Sequence, residues 1–177
     1  MRFVVTTLAL SLTVAGATLE RLSLDEMTQK STAIVRAKAV SSVTSFVGST
    51  IYTKTQFQVL ERWKGPEAAT VEVSEPGGTV GTRNQNYSGV PRFVNGQEVV
   101  LFLWTGPSGR TQVIGLTQGV FQVERSGSAE EEAVREPSGE AMLAPGTGEM
   151  VRDEVLKLPL KSLQTRVKSA LRGVKGQ

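Results

Sequence analysis

The chain of 177 residues contains no cysteine and no histidine. Their absence excludes Ser-His and Cys-His nucleophile pairs, zinc sites built on His or Cys, and the usual haem and iron–sulfur ligands. It also means that no disulfide supports the fold, which must be held by burial alone. The chemistry that remains is carboxylate catalysis, a Ser-Lys pair or calcium binding through oxygen ligands.

Aromatic residues and net charge are scarce as well. Aromatic side chains make up 6% of the chain, and the formal net charge is +3. Surfaces that bind nucleic acid usually combine dense Lys and Arg with stacking aromatics, and no segment shows that combination. The sequence therefore predicts no nucleic-acid partner. Its length fits one domain with a real core.

No apolar run reaches the roughly 20 residues that a membrane-spanning helix needs. The longest covers residues 3–14, follows the basic Arg2, and leads into the small residues of Ala15 to Ala17. This order of regions is typical of a secretory signal peptide. We expect residues 1–17 to be removed, Thr18 to be the mature N-terminus, and the protein to be exported, either to a periplasm or to the outside.

Local patterns predict the elements of the mature chain. Ser23 followed by Glu26 has the form of a capping box and predicts a short helix through about Lys30. Alternation or apolar runs predict strands near residues 33–43, 51–63, 70–74, 98–104, 111–116 and 120–124, with the second long enough to require a bulge. The predicted class is mainly β: a small Greek-key barrel of OB type, with a short N-terminal helix and a C-terminal amphipathic helix.

The C-terminal third has a different composition. Residues 126–152 are rich in Ser, Gly, Glu, Pro and Ala and include the acidic run Glu130 to Glu132, which predicts a flexible linker after the barrel domain of residues 18–125. Residues 153–177 are predicted to form a basic helix with leucines at helical spacing. Such a helix either docks on the barrel or contacts an anionic membrane surface.

The predicted opening strands resemble those of a known family. The resemblance rests on four segments: Ala33 to Ser41 (AIVRAKAVS), Ile51-Tyr52, Phe57 to Leu60, and Trp63 to Pro66 (WKGP). In order and spacing they are similar to the netrin-like domain, and most of all to the tissue inhibitors of metalloproteinases; the chain is also similar to small exported bacterial proteins. The resemblance implies an OB-like barrel and secretion. Those inhibitors act through an N-terminal cysteine, and Thr18 stands in its place, without cysteines to hold it.

A long polar loop is the most interesting candidate site. It runs from Pro76 to Gly89, and Arg83, Asn84, Asn86 and Tyr87 offer a polar recognition surface there. Thr18 is a further candidate contact through its free amine.

Other candidates are less specific. Trp63 and Trp104 are interpreted as packing at the barrel ends, with ligand stacking as the alternative. Carboxylate pairs such as Glu72 with Glu75, or Glu61 with Glu98, are not selected by any spacing.

These observations predict an exported, non-enzymatic binding module without a cofactor or metal. Its partner is expected to be a protein or an envelope component. Two alternatives stay open: a structural protein that acts at the membrane surface through the basic C-terminal helix, and an inhibitor of metalloproteases.

Overall fold

A computed structural model describes residues 18–126 and 130–173. In that part the protein is mainly β with two helices, one of them C-terminal, which confirms the predicted class of a mainly β fold with two helices. The predicted signal peptide, residues 1–17, lies outside the described residues. No helix of the described part is long and apolar enough to cross a membrane.

Thirteen strands and two helices make up the described part of the chain. The strands are β1 (Thr18–Glu20), β2 (Ala33–Val47), β3 (Thr50–Lys64), β4 (Thr70–Pro76), β5 (Gly78–Val80), β6 (Arg83–Gln85), β7 (Glu98–Thr105), β8 (Thr111–Val113), β9 (Val120–Ser126), β10 (Glu130–Arg135), β11 (Ala141–Leu143), β12 (Met150–Val151) and β13 (Leu156–Pro159). The helices are α1 (Leu24–Lys30) and α2 (Leu160–Gly173), and a single 3₁₀ turn, Leu116–Gly119, separates β8 from β9.

One antiparallel sheet of eight strands dominates the fold. Its order is β13-β10-β9-β7-β2-β3-β4, and β8 pairs with β7 beside β9. Among the described residues no ladder joins β4 to β8, so the sheet does not close into the predicted barrel. Two small sheets, β1-β11-β12 and β5-β6, complete the fold.

The β2–β3 hairpin is much longer than the sheet that it belongs to. Each strand has 15 residues, and the two-residue turn Gly48-Ser49 joins them. The expected irregularity is present as three register shifts, which leave Val40, Leu60 and Trp63 as extra residues. Residues 44–50, which fall between the predicted strands, are strand as far as Val47 and again from Thr50 onwards. We call residues 40–56 the arm, because there β2 has left its pairing with β7.

Apolar side chains form a core on each face of β2 and β7. The face with Val35, Leu101 and Leu103 packs against Phe57 of β3 and Val73 of β4. The opposite face is covered by the two helices. Its cluster consists of Leu24, Met27, Ile34, Trp63, Val100, Phe102, Phe121, Ala133, Leu160, Leu163 and Val167. This two-sided burial explains the almost uninterrupted apolar run in β7.

Helix α1 begins with the cap that its sequence predicts, whereas helix α2 begins later than predicted. The Ser23 hydroxyl accepts a bond from the Glu26 backbone N–H, the Glu26 carboxylate accepts from Ser23 N–H, and both together make the capping box. Helix α2 ends at Gly173, although it begins at Leu160 and not at residue 153. Its apolar stripe is buried against the sheet, which is the docked arrangement.

The predicted linker of residues 126–152 is corrected by the structure. Strand β10 lies within it and extends the main sheet between β9 and β13, with Ala133 and Val134 buried. Its acidic run is neutralised across the sheet, since Glu131 contacts Arg36 and Arg125, and Glu132 contacts Lys157. Composition alone does not reveal that these cations lie opposite the glutamates, and so it misassigns the segment.

Candidate functional site

A polar groove of about 520 Å³ lies over one face of β3 and β4. The tip of the arm borders it on one side, and the turn between β7 and β8 borders it on the other. Its lining consists of Val47, Lys54, Thr70, Val71, Glu72, Ser74, Ser108, Gly109, Arg110 and Thr111. Strand alternation explains the polar character, because alternate side chains of β3 and β4 point away from the core.

Cross-strand pairing fixes the charged groups of the groove floor. Lys54 Nζ lies 3.3 Å from a carboxylate oxygen of Glu72, and the Gln56 side chain donates a bond of 2.9 Å to the same carboxylate. These contacts are exposed, so they orient the side chains more than they stabilise the fold. The floor thus presents an oriented ammonium and carboxylate beside the hydroxyls of Thr70 and Ser74.

Arg110 forms the groove wall on the β7–β8 turn. Its guanidinium lies 4.0 Å from the ring centroid of Tyr52 and donates a bond of 2.9 Å to the tyrosine hydroxyl. The stacked ring restricts the arginine, which is one of the residues that line the groove. A held guanidinium of this kind recognises carboxylates, carbonyls or hydroxyls of a bound partner.

Four residues predicted as a recognition surface lie on the hairpin β5–β6 or just after it. Arg83 stacks 5.7 Å from the ring of Phe46, and the Asn84 side chain donates to the hydroxyl of Thr79. Asn86 and Tyr87 are exposed beyond β6. The predicted loop is therefore a folded hairpin held against the arm.

The hairpin and the groove lie on opposite faces of the arm. Phe46 pairs with Ile51, whereas Val43 pairs with Lys54, and directly opposed residues share a face. Because Arg83 contacts Phe46, its hairpin occupies the face that Lys54 does not. Gln85 anchors the hairpin by accepting a bond of 2.6 Å from Ile51 N–H and donating one of 2.9 Å to Ser49 C=O.

The hairpin β5–β6 can lie this close to the arm only because residue 77 is a glycine. Its φ is +96°, and a Cβ atom there would come within 2.2 Å of an Arg92 side-chain nitrogen and 2.8 Å of the Gln85 carbonyl oxygen. Any other residue would combine backbone strain with a clash. The glycine content of the segment thus serves close packing.

Thr18, the remaining predicted contact, is exposed in β1 and pairs in parallel with Ala141. The neighbouring Glu140 accepts a hydrogen bond from the Ser88 hydroxyl at the end of the predicted loop. Thr18 therefore lies near the end of the predicted loop, because β11 pairs with Thr18 and the residue before β11 contacts Ser88. Arg83 and Asn84 belong to the separate hairpin β5–β6.

Glu75 lies in the gap between β4 and β8, which we call the seam, where no ladder joins the described strands. It is 3% exposed, and Val113 N–H of β8 donates a bond of 2.6 Å to its carboxylate. Burial raises the pKa of Glu75 to about 7, against the opposing effects of the Val113 bond, the charge of Arg92 and the Gln112 side chain. This carboxyl group replaces a strand ladder between β4 and β8.

The two tryptophans have different surroundings. Trp63 is 8% exposed and donates its ring N–H to Glu61, in agreement with the packing interpretation. Trp104 is 43% exposed and borders a recess of about 280 Å³ beside Glu75, so it is not fully packed as expected.

Neither of the two carboxylate pairs considered from the sequence is arranged as an acid–base pair, because one pair is neutralised by an arginine and the other is separated. Glu61 and Glu98 both bind Arg36, with the Glu61 contact at 2.9 Å. Glu72 lies in the groove and Glu75 in the seam, on opposite sides of β4. Within residues 18–126 and 130–173, no group of three or more Asp and Glu side chains is arranged to hold a metal ion.

Comparison with protein-family models, with curated proteins and with solved structures finds no match to this chain. The groove therefore has to be interpreted from its own geometry. The sequence pattern contained no signal for Arg110, and it placed Tyr52, Lys54 and Gln56 within the alternating strand predicted near residues 51–63 without marking them as a site. That alternation was the available signal, but it does not show which turn borders the face.

Proposed function

We propose that the protein is an exported, non-enzymatic binding module that holds its partner in the groove over β3 and β4. The observation that carries this proposal is the combination of Arg110, restrained on Tyr52, with the Lys54–Glu72 pair across about 520 Å³ of concave surface. Both signs of charge and several hydroxyls face the groove. This chemistry suits an extended polar segment of a protein or an envelope component.

We also propose that the sheet is an opened barrel of OB type. Strands β2, β3 and β4 form a meander, and β7 returns to lie beside β2, which is the order of a Greek key. Strand β8 comes next and approaches β4 through Glu75. OB barrels bind ligands on the face of their second and third strands, between the first hairpin loop and the fourth loop. Here those parts are the face of β3 and β4, the tip of the arm, and the β7–β8 turn.

The same order supports the proposed netrin-like relationship. An inhibitor of metalloproteases in that manner would need a free α-amino group at Thr18, aimed outward from the barrel. Thr18 is held by β11 rather than by disulfides. We rank this alternative second, because Thr18 is exposed but the groove would have no part in the inhibition.

The membrane-surface alternative depends on helix α2. Leu160, Leu163 and Val167 are buried against the sheet, so the apolar stripe that such a helix would insert is already covered. Attraction between its exposed basic side chains and anionic lipids would be the only contribution. Vesicle binding that disappears when the exposed Lys161, Arg166 and Lys168 are replaced by glutamate would favour this alternative over the groove.

Replacing Arg110 by alanine should weaken partner capture at least tenfold, or about 1.4 kcal/mol, since arginines in restrained positions are frequent binding hot spots. The purified chain serves as bait for the extracytoplasmic fraction, and the captured partner is then titrated against each variant. The thermal midpoint of the variant should stay close to that of the parent, because Arg110 packs on one exposed side of Tyr52.

Arg83→Ala is the matched control, since it removes the same charge from the opposite face of the arm. Retained capture by this variant, together with loss in Arg110→Ala, supports the groove. The reverse result, with capture lost in Arg83→Ala and Tyr87→Ala but kept in Arg110→Ala, would move the binding surface to the hairpin β5–β6.

A further inference from the structure

Among the residues that the structure describes, no strand pairs with the outer edge of the arm. Strand β2 pairs with β7 only from Ala33 to Lys38, and Ala39 then bonds with Gly96 and Gln97. From Ser41 to Val47 the only ladder of β2 in the described part of the chain is the one with β3. Val47 and Thr50 flank a two-residue turn and therefore form a hydrogen-bonded pair. Along β2 every second residue bonds to β3 in this way, so the backbone N–H and C=O groups of Ser42, Thr44 and Phe46 point away from β3.

This edge lacks the features that usually block strand addition. Residues 41–47 read SSVTSFV, with no charge, no proline and no glycine. The two terminal strands of the main sheet differ, since β4 carries Glu72 and ends at Pro76, while β13 carries Lys157 and ends at Pro159. Natural edge strands are normally protected by such lysines, glutamates and prolines. An uncharged edge can meet a copy of itself without like-charge repulsion.

Apolar side chains along the edge add to this complementarity. Val43 is 65% exposed and Val47 is 45% exposed, both on the groove face of the arm. In antiparallel pairing of two copies centred on Ser45, Val43 of each chain stands opposite Val47 of the other. The outward backbone groups of Thr44 and Phe46 then pair across the two-fold axis, which makes the contact isologous.

We propose that the protein forms a two-fold dimer by antiparallel pairing of β2 with β2, centred on Ser45. The result is a continuous platform of six strands, β4-β3-β2 from each copy, with a groove at each side. A strand contact of five residues from each copy, Val43 to Val47, is small against the 1,200–2,000 Å² typical of stable complexes, so the dimer should be a reversible one. This inference does not depend on what the groove binds.

The absence of cysteine permits a direct test with Ser45→Cys. At the two-fold axis the two sulfur atoms face each other across a non-hydrogen-bonded pair, whose short separation suits a disulfide. Under mild oxidation we expect rapid, nearly complete covalent dimer on a non-reducing gel. Val94→Cys is the control, because Val94 is 71% exposed but lies outside the arm. Equal rates of cross-linking in the two variants would overturn the proposal.

Charge substitution provides the second arm of the test. Ser45→Lys and Ser45→Glu should each sediment as monomers at concentrations where the parent chain dimerises, and an equimolar mixture should dimerise again. Circular dichroism and the fluorescence of buried Trp63 verify that each variant is folded. A parent chain that remains monomeric at all concentrations, or a Ser45→Lys variant that still dimerises, would refute pairing through this edge.

Discussion

Replacing Arg36 by methionine is expected to lower the free energy of unfolding by about 2–3 kcal/mol, below the range of about 3–5 kcal/mol for a fully buried ion pair because its carboxylate partners are 21–40% exposed. The Arg36 side chain is 13% exposed and contacts Glu61, Glu98 and Glu131, on β3, β7 and β10. Burial opposes its charge, but hydrogen bonds to the three carboxylates outweigh that effect and raise the pKa of the guanidinium above its ordinary value. Without it, three carboxylates repel one another.

The position of this cluster explains why the effect should be global. Glu61 also accepts bonds from the Trp63 ring N–H and from Gln164 of α2, at 3.2 and 2.8 Å. The guanidinium therefore connects the centre of the sheet to the helix that covers it. Because the three strands come from distant parts of the sequence, its loss weakens their mutual placement and not only one local contact.

Urea denaturation at neutral pH measures the loss, with Arg125→Met as the matched control. Arg125 binds the same Glu131 at 3.1 Å, but its side chain is 71% exposed, so its removal should cost less than about 1 kcal/mol. The destabilisation by Arg36→Met should also shrink in acid, where the glutamates become protonated. A loss as small as that of the control would show that the cluster contributes little to stability.

The second large effect concerns Glu75, whose replacement by glutamine should flatten the dependence of stability on pH. Burial raises the pKa of this carboxyl group from 4.5 to about 7 in the folded chain. Between these values the unfolded chain loses the proton while the folded chain keeps it. The contribution of Glu75 is thus fully present below about pH 4.5 and is lost as the pH rises to about 7, by roughly 3–4 kcal/mol.

Chemical denaturation at a series of pH values between 4.5 and 8 tests this expectation. Glu75→Gln keeps an oxygen that accepts from Val113 N–H, and it removes the group that titrates. Glu72→Gln on the same strand is the control, because it makes the same substitution at an exposed side chain outside the seam. If Glu75→Gln and the parent lose stability in parallel over this interval, the raised pKa plays no part in folding.

The two predictions concern charged residues that local patterns could not assign. In the sequence, Arg36 is a polar interruption in an apolar strand, and Glu75 is one of several scattered carboxylates. Their properties come from neighbours on β7, β8 and β10, at sequence separations of 38 to 95 residues. Pairings over such distances depend on which strands become adjacent, and periodicity contains no information about that choice.

The elements themselves were largely predictable. Capping residues predicted α1, the apolar run of residues 98–104 predicted a strand buried on both faces, and the length of the second strand predicted a bulge. The failures share one cause. The acidic segment in β10 and the serine-rich segment in the arm have polar compositions typical of loops, but each is paired to a neighbouring strand that satisfies its backbone, and in β10 its charges as well.

Composition and local pattern thus settled what this chain excludes and where its backbone is extended or helical. The absence of cysteine and histidine limits the chemistry whatever the fold, and alternation reports which face of each strand is apolar. Tertiary structure alone decided that Arg110 lines the same groove as Lys54 and Glu72 and that Arg83 lies on the other face of the arm. It also decided that, in the described part of the chain, the edge from Ser41 to Val47 has no neighbouring strand. These are consequences of strand order and register, which are set by the packing of the whole sheet.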